Sequence, residues 1–584
     1  VSVPAAPDPC WARFDDLVAG QALLFSTPPR VLAAWTPAEV PGVLAAVEQA
    51  CAQGSWAAGF VAYEAAAGLG AGLPVHPPEE GLPLVWFGVV DDAPEAGPPI
   101  TADAGTGHRT GPWVADAGRA THAAAVAAVR ERIAAGDTYQ VNLTTRLRAR
   151  TAGDPLSLYA DLALAQRGSG NAYLDTGRFA VASASPELFF TRDGDQVVMA
   201  PMKGTAARGP TTAADQLARA ALLASPKERA ENVMIVDLVR NDLAQVAVVG
   251  GVEVTRLLSA ERYPTVHQLT SEVRAQLRPG TGLVDLFTAL FPCGSITGAP
   301  KTSTTALITE LEPGPRGVYC GAVGYVGPAA HARFTVAIRT AVVDRSAGTA
   351  VYGVGGGITW SSEAEAEYAE LETKARILAA PPAAFELLET MRHEAGRGLV
   401  AWPGHRARLT DSAAYFGFRL DVPAVEAALQ QALAGAGDAR VRLRCGPDGE
   451  VAVDLAGLPA PRDLVRLAVD DEPVDETVCW PHHKTTLRAP YDTRLARHPG
   501  ADDMVLVNTR GEVTETCRAT LAVRLDGVWW TPPLGGGCLP GVARAAAVAS
   551  GRLRERALVP DDLVRAEGLA VLNALRGWEP ATLV

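Results

Sequence analysis

The sequence predicts an α+β protein whose chain is divided into two parts. A chain of 584 residues is too long to fold around one hydrophobic core of ordinary size, so at least two domains are expected. Hydrophobic residues make up 48% of the chain and charged residues 20%, as is usual for a folded globular protein. Strand-like segments and helical segments alternate along the length, which favours helices layered on large sheets.

The clearest domain boundary is the stretch ILAAPPAAFELLETMR at 377–392. A charged helical segment ends there, two prolines follow, and a strand-like run begins at Phe385. We therefore expect one domain at 1–379 and a second at 383–584.

In the first part, periodicity and end signals assign the elements. Apolar residues three and four apart indicate helices, whereas alternation indicates strands, and an Asp-Gly turn divides the segment 178–205 into two strands. Helices are predicted at 121–137, 225–248 and 361–378, and strands at 138–150, 178–205, 318–327, 332–343 and 350–358.

The charge and the cysteines limit the function classes. A net charge of −13 argues against nucleic acid or an anionic membrane as a partner, although a local pocket can still bind a small anion. No apolar run is long enough for a transmembrane helix, and the first residues show no basic-then-apolar signal region. The eight cysteines form no CxxC pair, so we expect reduced thiols and a cytoplasmic protein.

Two predicted helices carry clustered carboxylates. Glu363, Glu367 and Glu370 share one helix face with Lys374, and Glu231 lies three residues after another acid on a second helix. Solvated faces with ion pairs would explain this spacing. Two such helices could equally hold one Mg²⁺, which prefers oxygen ligands.

Lys203 occupies an unusual setting in the stretch PMKGTAARG at 201–209. It is a loop lysine on one interpretation. On the other it is a nucleophile, which requires desolvation or cationic neighbours to lose its proton. These nine residues alone leave both interpretations open.

Ten ordered motifs over about 240 residues then narrow the interpretation, among them GDTYQVNLTTR, SPELFF, PMKGT, RAENVMIVDLVRNDL, FPCGSITGAPK, YCGAVGY and EAEYAELETKA. Together they resemble the chorismate-utilising enzymes, the family of anthranilate synthase, isochorismate synthase and aminodeoxychorismate synthase component I. The resemblance implies a large α/β sandwich with its site between the sheets.

The resemblance also implies roles for individual residues in the first part. The Mg²⁺ ligands would be Glu231 and Glu370, with Glu367 as an outer acid, and Glu187 would be the general acid that protonates the departing C4 hydroxyl. The residues that would contact the substrate are Arg339, Tyr319, Lys374 and the backbone of Gly355, Gly356 and Gly357 around the enolpyruvyl carboxylate, with Thr297 and His267 lining the ring.

Lys203 is the residue that distinguishes the activities within this family. Anthranilate synthases carry alanine at the matching place, whereas aminodeoxychorismate synthases carry lysine. In the family mechanism the lysine amine attacks C2 as the C4 hydroxyl departs, and ammonia then adds at C4 and expels the lysine. Amination para to the ring carboxylate is therefore expected.

The second part resembles the fold-type IV pyridoxal-phosphate enzymes, which include class IV aminotransferases and aminodeoxychorismate lyase. The blocks that carry this resemblance include FELLETMR, HHKTTLRAPYD, VNTRGEVTETCRATL and PLGGGCLPGVAR. The resemblance implies that Lys484 binds the cofactor covalently, that Glu515 faces its pyridine nitrogen, and that its phosphate is held by Arg408 and backbone amides near Val542 and Ala543. Two positions depart from the usual family pattern, Thr520 in place of asparagine and Ala543 in place of threonine.

Taken together, the two resemblances predict an enzyme that makes 4-aminobenzoate. The first part would convert chorismate and ammonia to 4-amino-4-deoxychorismate, and the second would convert that product to 4-aminobenzoate and pyruvate, in folate biosynthesis. Alternatives are an anthranilate synthase-like first part and a second part that is an aminotransferase or inactive. No glutaminase motif is found, so ammonia would come from solution or from a separate glutamine amidotransferase subunit. A homodimer through the second domain is also expected.

Overall fold

The computed structural model describes residues 10–27, 29–70, 72–378, 385–460 and 462–584. The chain forms two compact units. One unit contains residues up to Ala207 and resumes at Ala221, and the other contains Arg208–Ala220 together with the C-terminal part. The predicted boundary at 379–383 lies outside the described residues, and nothing in the composition indicated that Arg208–Ala220 would group with the second unit.

The first unit is built on two large antiparallel sheets. Within the described ranges one sheet has 11 strands, in the order Gly298–Ala299, Gln140–Gly153, Thr349–Ile358, Thr340–Asp344, Phe179–Ser185, Gly170–Asp175, Ala12–Asp16, Gln21–Phe25 and Glu95–Gly97, with His108–Thr110 and Val114–Ala115 beside Gln140–Gly153. The other has 10 strands, in the order Met202–Ala207, Val266–Leu277, Gln196–Ala200, Leu188–Asp193, His331–Val336, Ala322–Gly327, Trp56–Val61, Val85–Val90 and Arg30–Ala34, with Ala247–Arg262 beside Val266–Leu277.

The two sheets share a hydrophobic core. Phe25 and Val181 of the first sheet belong to the same buried cluster as Phe60 and Val323 of the second. Because apolar residues from both faces meet in one cluster, the sheets form a sandwich, which agrees with the fold expected from the sequence.

The second unit contains a small sheet and a larger mixed sheet. The small sheet has the order Gly398–Leu399, Leu387–Glu394, Ala439–Cys445 and Val451–Ala456. The larger sheet has the order Val513–Thr516, Asp503–Val507, Val465–Val469, Gly577–Leu583, Gly568–Asn573, Thr520–Leu525, Val528–Thr531 and Arg554–Glu555.

The helices lie at Val40–Ala52, Arg119–Ala134, Pro155–Gln166, Thr212–Ala224, Pro226–Ala244, Leu283–Leu290, Lys301–Leu311, Ala364–Ala375, Trp402–Phe416, Val422–Leu433, Ala489–Arg497, Val542–Ala549 and Pro560–Val564. None of the described helices combines the length and apolar character needed to cross a membrane. The three helices predicted in the first part are present within a few residues of their expected ends, and Ser225 caps Pro226–Ala244 by accepting a hydrogen bond from the Glu228 amide.

The segment Arg208–Ala220 is bonded to the second unit by several contacts. The Arg208 guanidinium donates to Asp215 at 2.5 Å and to the Tyr415 carbonyl at 3.0 Å. The Tyr415 hydroxyl donates in turn to the Gly209 carbonyl at 2.9 Å. These polar contacts hold the segment, which begins directly after the strand Met202–Ala207 that carries Lys203.

Candidate active sites

A cavity in the first unit gathers most of the residues predicted for chorismate chemistry. It has a volume of about 140 Å³. The predicted residues that line it are Glu187, Lys203, Glu231, Tyr319, Arg339, Gly355, Gly357, Glu367, Glu370 and Lys374.

Lys203 reaches this cavity because its strand is irregular. The strand Met202–Ala207 shifts register against its neighbour between Met202 and Thr205, and Gly204 within the shift has a φ of 100°. A bulge of this kind redirects a side chain. The Asn232 amide donates to the Lys203 carbonyl at 2.9 Å and fixes the strand from the helix below. Burial lowers the pKa of the Lys203 amine, which favours the neutral, nucleophilic form.

Gly357 provides the space for the Lys203 amine. A Cβ atom built on Gly357 would lie 2.0 Å from Lys203 Nζ and 2.6 Å from Gln140 Nε2. Gln140 is completely buried, and neither polar atom of its amide has a hydrogen-bond partner within the described residues. Gln140 was not predicted from the sequence. The feature that could have identified it is a glutamine at an inward-facing position of the predicted strand 138–150.

Glu187 is held as a buried acid beside the cavity. Ser295 Oγ donates to Glu187 Oε1 at 2.6 Å, and the side chain is 3% exposed. Burial raises the pKa of Glu187 to about 7, and the hydrogen bond from Ser295 partly offsets that rise. A carboxyl group that keeps its proton near neutral pH suits a general acid.

The three acids predicted around Mg²⁺ line the cavity from two helices. Lys374 Nζ lies 2.7 Å from Glu370 Oε1, and Lys227 Nζ lies 3.9 Å from Glu231 Oε1. The oxygens of these three acids do not converge, since among the described residues three potential ligand atoms lie within 4.8 Å of one another only at Asp470, Asp471 and His498. The donor set fits Mg²⁺, which usually takes one or two carboxylates plus substrate and water.

Two cationic side chains and a tyrosine also line the cavity. Arg339 has a left-handed φ of 52° and donates to the Lys374 carbonyl at 3.0 Å. Lys374 Nζ, besides its contact with Glu370, donates to the Gly355 carbonyl at 2.8 Å, and the Tyr319 ring packs so closely on Gly353 that a Cβ there would lie 2.2 Å away. An arginine, a lysine and a tyrosine that line the same cavity can bind a carboxylate.

Three predicted residues do not line the cavity. His267 is buried on the strand Val266–Leu277, and its neighbour Gln268 lines the cavity instead, because successive strand residues face opposite sides. Thr297 donates through Oγ1 to the Cys293 carbonyl at 2.8 Å, and Ile296 lies at the cavity wall. Gly356 does not line the cavity, although Gly355 and Gly357 on either side of it do, and a Cβ on Gly356 would lie 3.3 Å from Glu367 Oε2.

A second cavity, of about 460 Å³, lies in the second unit and is lined by all five residues predicted to bind pyridoxal phosphate, namely Arg408, Lys484, Glu515, Val542 and Ala543. The Lys484 carbonyl accepts a 3.0 Å hydrogen bond from the Leu388 amide, which fixes the backbone of the lysine. Burial lowers the pKa of Lys484 to about 8 and raises the pKa of Glu515 to about 8. Burial thus favours a neutral amine at Lys484 and a protonated acid at Glu515.

Arg408 is oriented by residues that sequence reasoning missed. Its guanidinium donates to the two Glu389 oxygens at 2.9 and 2.6 Å, and His405 Nδ1 lies 2.7 Å from the same carboxylate. Burial alone would raise the pKa of Glu389, but Arg408 and His405 hold it below its usual value. The sequence feature that could have identified Glu389 is a glutamate in FELLETMR at a buried strand position.

The helix Val542–Ala549 begins at the wall of this cavity directly after Gly541. A Cβ on Gly541 would lie 2.9 Å from Thr520 Oγ1, so the Thr520 hydroxyl stands beside the helix start. A helix N-terminus, a hydroxyl and Arg408 form an anion-binding cup, and the lysine and acid complete a donor set that fits pyridoxal phosphate.

Two family models match the chain. One described as chorismate binding enzyme matches residues 26–380, and one described as amino-transferase class IV matches residues 386–584.

Individual proteins are similar to the first part. Aminodeoxychorismate synthase component 1 of Escherichia coli is 40% identical over 261 residues, which cover 45% of this chain and 57% of that protein. Anthranilate synthase component 1 of Streptomyces coelicolor is 39% identical over 284 residues, which cover 48% and 55%. The crystal structure of anthranilate synthase component I from Streptococcus pneumoniae matches with a TM-score of 0.53 and 23% identity, over 65% of this chain and 94% of that one, and shows the fold alone.

The chain matches between 34% and 57% of the length of these and other curated relatives. An aminodeoxychorismate synthase component 1 and an anthranilate synthase component 1 are thus almost equally similar to the first part. The overall sequence identity does not distinguish between these two kinds of synthase. The distinction has to come from the side chains that line the cavity.

Proposed function

This chain belongs to the chorismate binding enzyme family, and we therefore propose that its first part aminates chorismate with ammonia to 4-amino-4-deoxychorismate. Its second part then releases pyruvate from that product and leaves 4-aminobenzoate, a precursor of folate. The observation that carries the proposal is the buried Lys203 amine in the first cavity, at the position where the resemblance separates para from ortho amination.

Two side chains would perform the substitution in the first cavity. Glu187 gives its proton to the C4 hydroxyl, which leaves as water while Lys203 Nζ bonds to C2 and the ring double bonds shift. Ammonia then bonds to C4 as the C2–N bond to Lys203 breaks, and the double bonds return. Burial favours a protonated Glu187 and a neutral Lys203, which are the forms this sequence needs.

The remaining residues of the first cavity would hold the two substrate carboxylates. Glu231 and Glu370 would bind Mg²⁺, which neutralises the ring carboxylate, with Glu367 beside them. Arg339, Tyr319 and Lys374 would bind the enolpyruvyl carboxylate, since they are cationic or hydrogen-bonding side chains that line the same cavity.

In the second cavity Lys484 and Glu515 would flank pyridoxal phosphate, with its phosphate in the cup formed by Arg408 and the helix start. When bound, this cofactor supplies an electron-withdrawing ring that stabilises charge on a substrate carbon after loss of a proton. Lys484 Nζ takes the proton from the carbon that carries the substrate amine. The adjacent bond to the enolpyruvyl oxygen then breaks and the ring becomes aromatic, while the leaving enolate takes the proton held by Lys484 and becomes pyruvate.

Three further expectations complete the proposal. Ammonia comes from a separate glutamine amidotransferase subunit, a role consistent with the "component 1" in the name of the Escherichia coli relative. The second unit mediates a homodimer, and the enzyme acts in the cytoplasm.

One experiment tests both parts. The full chain is incubated with chorismate, Mg²⁺, an ammonium salt and pyridoxal phosphate, and the aromatic products are separated. The parent should form 4-aminobenzoate, Lys484→Ala should accumulate 4-amino-4-deoxychorismate, and Lys203→Ala should form little of either. Anthranilate from the parent, or both variants working at the parent rate, would refute the assignment.

The competing function is anthranilate synthesis, which the 39% identity to an anthranilate synthase component 1 keeps in consideration. The lysine at 203 argues against it. Anthranilate as a main product only in Lys203→Ala would support the role of this lysine in setting the ring position.

A further inference from the structure

The second cavity carries more positive charge than the cofactor phosphate requires. Four arginines that line it have no carboxylate within 4.0 Å among the residues that the structure describes, namely Arg440, Arg442, Arg488 and Arg518. Other arginines of this cavity are paired with acids; Arg408, for example, is bonded to Glu389. An excess of unpaired cations around one cavity, on a chain of net charge −13, indicates an anionic ligand.

Arg440 and Arg442 form a pair on one strand. They are two residues apart on Ala439–Cys445, so both side chains stand on the same face of the small sheet. Arg442 is opposite Thr390 of the neighbouring strand, and Thr390 also lines the cavity. Arg444 is the next residue on this face, but it does not line the cavity and lies 2.9 Å from Glu386.

Arg488 lies closer to the reacting groups. It follows Lys484 by four residues, and its charge lowers the pKa of that lysine, after the larger effects of burial and of Arg408. One guanidinium nitrogen donates to the Cys517 carbonyl at 2.5 Å, and the guanidinium stacks 4.4 Å above the Tyr491 ring. These contacts fix Arg488 and leave its other nitrogens available to an anion.

We propose that the second site binds a substrate with two separate carboxylates, one held by Arg488 and the other by Arg440 and Arg442. The inference rests on the proposed function, because 4-amino-4-deoxychorismate carries a ring carboxylate and an enolpyruvyl carboxylate. Arginine forks bind carboxylates in two-point contacts. An amino acid with one carboxylate would leave one of the two groups of arginines unused.

Kinetics on supplied 4-amino-4-deoxychorismate test the assignment in the full chain with pyridoxal phosphate. Arg442→Gln, Arg440→Gln and Arg488→Gln should each raise KM about 10- to 100-fold, since a hydrogen bond to a charged group contributes roughly 1.5–3 kcal/mol. Arg444→Gln is the matched control, because it removes an arginine of the same strand face that is paired with Glu386. It should keep KM within about twofold of the parent, because this part-buried ion pair lies outside the cavity.

A binding measurement tests the same assignment without depending on turnover. Titration of 3-(carboxymethoxy)benzoate, an unreactive dicarboxylate, is followed by the cofactor absorbance, which reports on the second site alone. It should bind at least about tenfold more tightly than the monocarboxylate 3-methoxybenzoate, and Arg442→Gln should remove that difference.

Two results would overturn the inference: equal affinity for the dicarboxylate and the monocarboxylate, or Arg440, Arg442 and Arg488 variants that behave like Arg444→Gln. If the parent did not convert 4-amino-4-deoxychorismate at all, the proposed function would fail. The binding comparison would then still decide whether this cavity selects dicarboxylates.

Discussion

A Cβ atom on Gly357 would lie 2.0 Å from Lys203 Nζ. The proposed nucleophile is therefore packed directly against main chain, on a strand of the opposite sheet. Asn232 anchors the Lys203 carbonyl, and burial of the amine lowers its pKa. The chemistry proposed for the first cavity depends on this close contact.

Gly357→Ala should displace the Lys203 amine and reduce formation of 4-amino-4-deoxychorismate by about 100-fold, since a shift of roughly 1 Å in a reacting group costs that much. Product formation from chorismate and ammonium measures the effect. Gly118→Ala is the control, because a Cβ there meets nothing within 4 Å, and this variant should match the parent. A Gly357→Ala enzyme with normal activity would show that the amine does not need this space.

Ser295→Ala should move the alkaline limb of the first reaction to higher pH. Glu187 has a pKa raised to about 7 by burial, and the Ser295 hydrogen bond to its carboxylate opposes that rise. Activity that needs the protonated acid falls as pH rises through this pKa, so loss of the hydrogen bond shifts the fall upward. The pH dependence of kcat/KM for chorismate measures it. Ser303→Ala, an exposed serine, should leave the profile in place.

Removal of divalent metal should separate the two reactions. A chelator should reduce conversion of chorismate by at least roughly 100-fold, because the ion is proposed to contribute several kcal/mol of charge stabilisation. It should leave conversion of supplied 4-amino-4-deoxychorismate unchanged, since the second cavity uses no carboxylate pair for metal. Restoration by Mg²⁺ is the control, and equal loss of both reactions would contradict the assignment.

Glu389→Gln should weaken cofactor binding by about tenfold, because the charged hydrogen bonds that orient Arg408 toward the phosphate contribute roughly 1.5 kcal/mol. Titration of the cofactor, followed by absorbance, gives its Kd. The matched control is Glu386→Gln, which removes a part-buried partner of Arg444 outside the cavity and should leave Kd unchanged. Unchanged cofactor affinity in both variants would mean that Arg408 binds the phosphate without being oriented by Glu389.

The side chains that we propose to react were easier to predict from the sequence than the residues that contact and orient them. Lys203 and Lys484 stand in recognisable motifs, and their cavities follow from the two resemblances. Glu389 and Gln140 were missed because each acts through a tertiary contact that local spacing does not encode. His267 was expected at the cavity, but strand alternation places its neighbour Gln268 there, and a shift of one residue reverses the facing side.

The return of Arg208–Ala220 to the second unit has a consequence for gene organisation. A split of the gene near codon 380 would leave the N-terminal product with a segment that has lost Tyr415, its hydrogen-bond partner in the intact chain. Expression of the two halves as separate chains divided near residue 380 would leave the Arg208–Ala220 segment without these contacts.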